Sequence, residues 1–81
     1  MNSITYGLVE ERYSFNDHER TSYGIVVYAD VEIDGTATVI AAIHDITSDK
    51  PRLTALVQRC NLLKLSPLHL EDVVEDFLAD S

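Results

Sequence analysis

Two runs rich in β-branched residues, Thr21 to Glu32 and Thr36 to Ile46, flank the tripeptide Ile33-Asp34-Gly35 and constrain this chain more than any other feature. Successive side chains of a strand point to opposite faces, and Asp-Gly is a strong signal for folding two strands back antiparallel. Two registers compete. A two-residue loop sets Val31 opposite Thr38 and Ile25 opposite His44, which mixes polar groups into the core face. A three-residue loop, with Gly35 as a left-handed bulge, sets Val31 opposite Ala37, Ala29 opposite Val39, Val27 opposite Ala41 and Ile25 opposite Ile43. That register gives one consistently apolar face. Since a slip of one residue exchanges the faces of a whole strand, it is the expected one. It leaves Val26, Tyr28, Ile40 and Ala42 as an apolar island on the outer face, with His44 opposite Gly24.

An earlier run, "TYGLV" from Thr5 to Val9, repeats the pattern of "SYGIV" from Ser22 to Val26, so it reads as a third strand. Glycine weakens a strand interior, but a neighbouring or cross-strand tyrosine ring can cover the bare backbone, so Tyr6-Gly7 and Tyr23-Gly24 read as packing devices. "FNDHER", holding His18, reads as a polar connection between the first two strands.

Beyond the strands, Thr47, Ser48 and Asp49 are candidate helix caps, and Pro51 falls in a first helical turn, where its missing N–H is harmless. Leu53, Leu56, Val57, Cys60 and Leu63 then recur at helical spacing as one apolar face. A second helix starts at Ser66 as cap with Pro67 first inside, and Leu65 can staple onto Leu70. Leu70, Val73, Val74 and Phe77 form its stripe, with Leu78 beside it, and Glu71, Asp72, Glu75 and Asp76 take the opposite side.

Two amphipathic helices after a three-stranded meander can bury their stripes only against one sheet face. The expected architecture is therefore a two-layer α+β fold of order βββαα, one small domain over residues 1–81. The stretch "CNLLKLSPLHLEDVVEDFL", with "SYGI" and "DITSD" upstream, resembles a family of short bacterial proteins known only as a domain of unknown function. The resemblance supports the fold and implies no activity, ligand or catalytic residue.

With 14 acidic against 6 basic residues the formal charge is −8, which repels nucleic acid and anionic lipid. Neither is expected as a partner. No run approaches the ~20 apolar residues of a membrane span, and the amino end lacks a signal-peptide pattern. A lone cysteine, Cys60, staples nothing and suits a reducing compartment, so a cytoplasmic location is expected.

"HDITSDK" brings His44, Asp45 and Asp49 close in sequence, which raises a metal-dependent or small-ligand enzyme as one reading. Its spacing fits a strand end and a helix cap better. His18 and His69 have no partner pattern, no nucleophile elbow is present, and a total of three glycines leaves little for a phosphate cradle. No cofactor or metal is expected. The leading expectation is a protein-binding or regulatory module without catalytic activity, whose partner is another protein or a second copy in a homodimer. Its candidate surfaces are Val26, Tyr28, Ile40 and Ala42 on the sheet and Glu71, Asp72, Glu75 and Asp76 on the second helix. In a variant of this reading, the helix face makes the chain an acidic inhibitor of a basic protein.

Overall fold

The computed structural model describes residues 3–31 and 36–80. Three strands, β1 (Ser3–Phe15), β2 (His18–Val31) and β3 (Thr36–Thr47), form one antiparallel sheet in the order β1-β2-β3. Two helices follow, α1 (Lys50–Leu62) and α2 (Leu70–Ala79), the second preceded by a 3-10 turn over Pro67–His69. The fold is the expected α+β arrangement, βββαα.

The first hairpin differs from expectation. "FNDHER" is not a loose connection: Phe15 pairs with His18, so the strands run to a two-residue turn. Asn16 and Asp17 make this possible with φ of 50° and 65°, because short polar side chains tolerate the left-handed backbone that such a tight hairpin needs. The β1–β2 ladder therefore continues past Tyr23, which pairs with Thr47 at the end of β3, as a two-stranded arm.

The β2–β3 register also departs from the expected one. Ile25 pairs with Ile43 and Val27 with Ala41 as anticipated, but Ala29 pairs with Thr38 rather than Val39, and Val31 with Thr36 rather than Ala37. One extra β3 residue, Ile40, sits between the Val27–Ala41 and Tyr28–Val39 pairs, and this bulge shifts everything toward the turn by one. Val39 consequently joins Tyr28 on the outer face, where it is 54% exposed. The Ile33-Asp34-Gly35 turn itself lies outside the described residues. At the other end of β3, His44, Asp45 and Ile46 together stand against Gly24 alone, with Asp45 at φ 53°.

Helix α1 begins as its caps suggest: the Asp49 side chain accepts from the Arg52 N–H at 3.2 Å, and proline stands in the first turn. Its end overturns one expectation. Leu65 N–H bonds back to the Cys60 carbonyl at 3.0 Å, with Lys64 in the left-handed region at φ 52°. The chain leaves the helix there, and Leu63 is turned out to 69% exposure instead of joining the apolar face. For the second helix, Ser66 caps the 3-10 turn by accepting from Leu68 N–H, and α2 proper starts at Leu70.

The core lies between one sheet face and both helices. Tyr6, Ile25, Val27 and Ile46 meet Leu53, Val57 and Cys60 of α1 and Leu70 and Val74 of α2. Burying such aliphatic side chains contributes roughly 1.5–3 kcal/mol each. The Asn61 side chain closes part of the β1 edge, accepting from Tyr6 N–H at 2.8 Å and donating to Tyr6 O at 2.9 Å. Tyr6 donates its hydroxyl to the Leu65 carbonyl at 2.7 Å, which fixes the helix connection to the sheet.

Candidate functional site

Alternation along the β1–β2 ladder sets six cross-strand pairs on the face away from the helices: Phe15–His18, Tyr13–Arg20, Glu11–Ser22, Val9–Gly24, Gly7–Val26 and Thr5–Tyr28. β3 adds Val39 and Ala42 beside the last pairs, with half-exposed Ile40 at its bulge. Of the four residues expected to share an apolar outer patch, Val26 and Tyr28 are on this side of β2, Ala42 pairs with Val26 from β3 and Ile40 stands at the bulge, and Val39 is the member that the bulge supplies. Gly7 is covered across the strands by the Tyr28 ring, 3.3 Å from where its Cβ would stand, and not by Tyr6, which turns into the core. Gly24 has a different reason: a Cβ there would stand 2.3 Å from the Ile43 carbonyl oxygen, since the β3 backbone folds over it.

Midway along this face lies a polar cluster. Glu11 carries two partners, the Tyr13 hydroxyl at 2.7 Å and His44 Nδ1 at 2.5 Å, so β1 is tied to β3 across Gly24. The Tyr13 and His44 bonds hold the Glu11 carboxyl below its usual range, and the same carboxylate pushes the Tyr13 hydroxyl up. Asp45 accepts from Ser22 Oγ at 2.5 Å and pairs with Arg20 at 2.7 Å. The Ser22 bond, reinforced by the Arg20 charge, lowers the Asp45 carboxyl. Ser22 is fully buried in this arrangement. Tyr13, Phe15, His18, Arg20 and Asp45 line a shallow concavity at the arm.

His44, Asp45 and Asp49 do not converge. His44 is on Glu11, Asp45 is on Ser22 and Arg20, and Asp49 caps α1. Among the described residues, no three His, Cys, Asp or Glu side chains gather as a metal would need. His18 and His69 are exposed, and Cys60 is buried with its thiol pushed up by burial.

The second candidate surface keeps its expected place. Glu71, Asp72, Glu75 and Asp76 are all exposed on α2, and among the described residues none makes an ion pair with the α1 cations. Arg52 instead lies over the Phe77 ring, 4.8 Å from its centroid. A 340 Å³ groove separates the helices, with Arg52 and Arg59 on one wall and Asp76 and Asp80 on the other.

Sequence reasoning missed Glu11, Tyr13, Arg20 and Ser22 because they fell on what read as a strand end and a connection. The signal was present in Asn16-Asp17, whose tolerance of positive φ extends the alternation through those residues. No helix is long and apolar enough to cross a membrane among the described residues. A family model described as a family of unknown function (DUF6514) matches residues 1–80. No curated protein and no solved structure matches the chain.

Proposed function

Since the chain belongs to DUF6514, a family of unknown function, its role must be read from the surfaces it leaves open, and we propose a protein-binding module without catalytic activity that works through the outer face of its sheet. One observation carries this reading: Val26, Tyr28, Val39, Ile40 and Ala42 cluster on or beside a face that neither helix covers. An open antiparallel face is normally polar, and a contiguous apolar patch on it marks an interaction site. Against an enzyme stands the separate engagement of His44, Asp45 and Asp49, each by a structural partner. The buried thiol of Cys60 fits work in the cytoplasm.

The test is affinity capture from a native lysate with the wild-type chain, Tyr28→Asp, and Glu75→Lys with Asp76→Lys. Tyr28→Asp is expected to keep its melting transition and lose the captured protein, because the new charge meets water in the free chain and an apolar surface in the complex. Retention by Tyr28→Asp with loss in the helix variant would replace this reading with that of an acidic inhibitor.

A further inference from the structure

We infer that the groove between α1 and α2 binds a free α-amino acid with a large apolar side chain, held as the zwitterion. The inference is independent of the outer sheet face, because the groove opens on the helix layer, across the sheet from it. Its basis is the spacing of the lining residues. Arg52, Leu56, Arg59 and Leu63 recur along one side of α1, and Val73, Asp76, Phe77 and Asp80 along one side of α2. Arg52, near the start of α1, lies over the ring of Phe77, near the end of α2, so the helices run antiparallel and the two rows face each other.

Each wall carries one sign of charge. Arg52 and Arg59 are the charged groups that α1 brings to the groove, and Asp76 and Asp80 are those of α2. None of the four is ion-paired among the described residues, so the walls stand too far apart to neutralise each other directly. Arg52 spends the flat face of its guanidinium on Phe77, which leaves the N–H edges aimed to fork onto a carboxylate. A ligand of one sign would suit one wall and be repelled by the other. What suits both is a dipole, with its carboxylate turned to α1 and its ammonium to α2.

Between the walls the lining is apolar. Leu56, Leu65, Val73 and Phe77 are half-buried there beside buried Cys60, and Leu63, 69% exposed, lines the groove while taking no part in the core. Apolar surface left to water between charged walls favours a ligand whose side chain covers it. At 340 Å³ the groove is at the small end of ligand sites, the size for one side chain such as that of phenylalanine, leucine or methionine. A partner's helix, ~10–12 Å across, is too thick to enter it.

The experiment titrates L-phenylalanine into the intact, isotope-labelled chain and follows the backbone amide chemical shifts. Saturable shifts at the groove residues of α1 and α2 are expected, with a midpoint near the millimolar range, as suits about a dozen non-hydrogen atoms in an open site. Three analogues each lack one feature: hydrocinnamate the ammonium, phenylalaninamide the carboxylate and glycine the side chain. Each should bind at least tenfold more weakly than phenylalanine. Arg59→Gln and Asp80→Asn change exposed side chains outside the core, so both should keep the melting transition and weaken phenylalanine at least tenfold. Lys50→Gln, a cation of α1 away from the groove, should leave binding unchanged. Shifts scattered over the sheet, or none up to the solubility limit of phenylalanine, overturn the site. Hydrocinnamate or phenylalaninamide binding as tightly as phenylalanine overturns the zwitterion, and undiminished binding by Arg59→Gln and Asp80→Asn overturns the role of the charged walls.

Discussion

The two sheet glycines differ in what surrounds them, and substitution separates them. Alanine at Gly24 drives a methyl group into the β3 backbone, 2.3 Å from the Ile43 oxygen, where nothing can give without undoing the bulge. Gly24→Ala should cost at least ~2–3 kcal/mol, comparable to overpacking a core. Gly7→Ala meets only side-chain atoms of Tyr28 and Val26 at 3.3 Å, so a loss under ~1 kcal/mol is expected. Urea denaturation of both checks this, and equal losses would mean that the β3 backbone is not fixed over Gly24. Lys64 offers the opposite change. It holds φ 52° at the end of α1, a conformation that penalises a side chain by ~1–2 kcal/mol and suits glycine. Lys64→Gly should therefore raise stability by roughly 0.5–1 kcal/mol after the glycine's greater unfolded-state entropy is counted. A destabilised Lys64→Gly chain would place the helix end elsewhere.

Among the elements, α2 separates packing from charge most clearly. Leu70 and Val74 are buried, so Leu70→Ala should cost ~2–5 kcal/mol by opening a cavity in a small core. Its carboxylates behave differently. Glu71 with Glu75 and Asp72 with Asp76 are like-charge pairs one turn apart, each unfavourable by ~0.2–0.5 kcal/mol, and Glu75 and Asp76 lie toward the negative end of the helix dipole. Without an ion pair to lose, Glu75→Lys with Asp76→Lys should leave the thermal midpoint unchanged or raise it slightly. A drop of several degrees would reveal pairing with Arg52 or Arg59 across the groove. The arm makes a similar point about strands: a two-stranded ribbon is marginal alone, and its long register survives here because Asp45 and His44 of β3 hold Arg20, Ser22 and Glu11 at its root.

At the scale of the molecule, the three strands are tied on the outer face by carboxylates that titrate at low pH. Glu11 and Asp45 are both held below the usual carboxylate range in the folded chain, by Tyr13 with His44 and by Ser22 with Arg20 respectively. A lowered folded-state pKa contributes stability that is complete above the ordinary value of about 4 and is lost as pH falls through the lowered one. The midpoint of thermal unfolding should accordingly fall as pH drops below about 4, and Asp45→Asn should flatten that acid limb while lowering stability at neutral pH. An acid limb of unchanged steepness would mean that the Ser22–Asp45–Arg20 cluster contributes nothing. Neutralising the acidic surface acts the other way, since net charge shrinks toward the pI near 4.5, so the effect must be read against wild type at each pH.

Most features that depend on neighbours in the chain were legible from the residues alone, the Asn16-Asp17 hairpin and the end of α1 at Lys64 excepted. Asp49 with Pro51 sets where α1 begins, Ser66 with Pro67 starts the 3-10 turn that leads into α2, and the spacing of Leu53, Val57, Cys60, Leu70 and Val74 sets which side the helices bury, because capping and periodicity are local. The order βββαα and the two faces at Ile25 and Val27 followed from the same local rules. Tertiary structure alone decided the bulge at Ile40, the excess of β3 residues over Gly24, and the bond of Asn61 to the Tyr6 backbone. An extra residue leaves the propensity of a strand unchanged, and its place is decided only when the strand pairs with its neighbour. The same holds for Glu11, His44, Ser22 and Asp45, which come from three strands and become neighbours only when the sheet has formed.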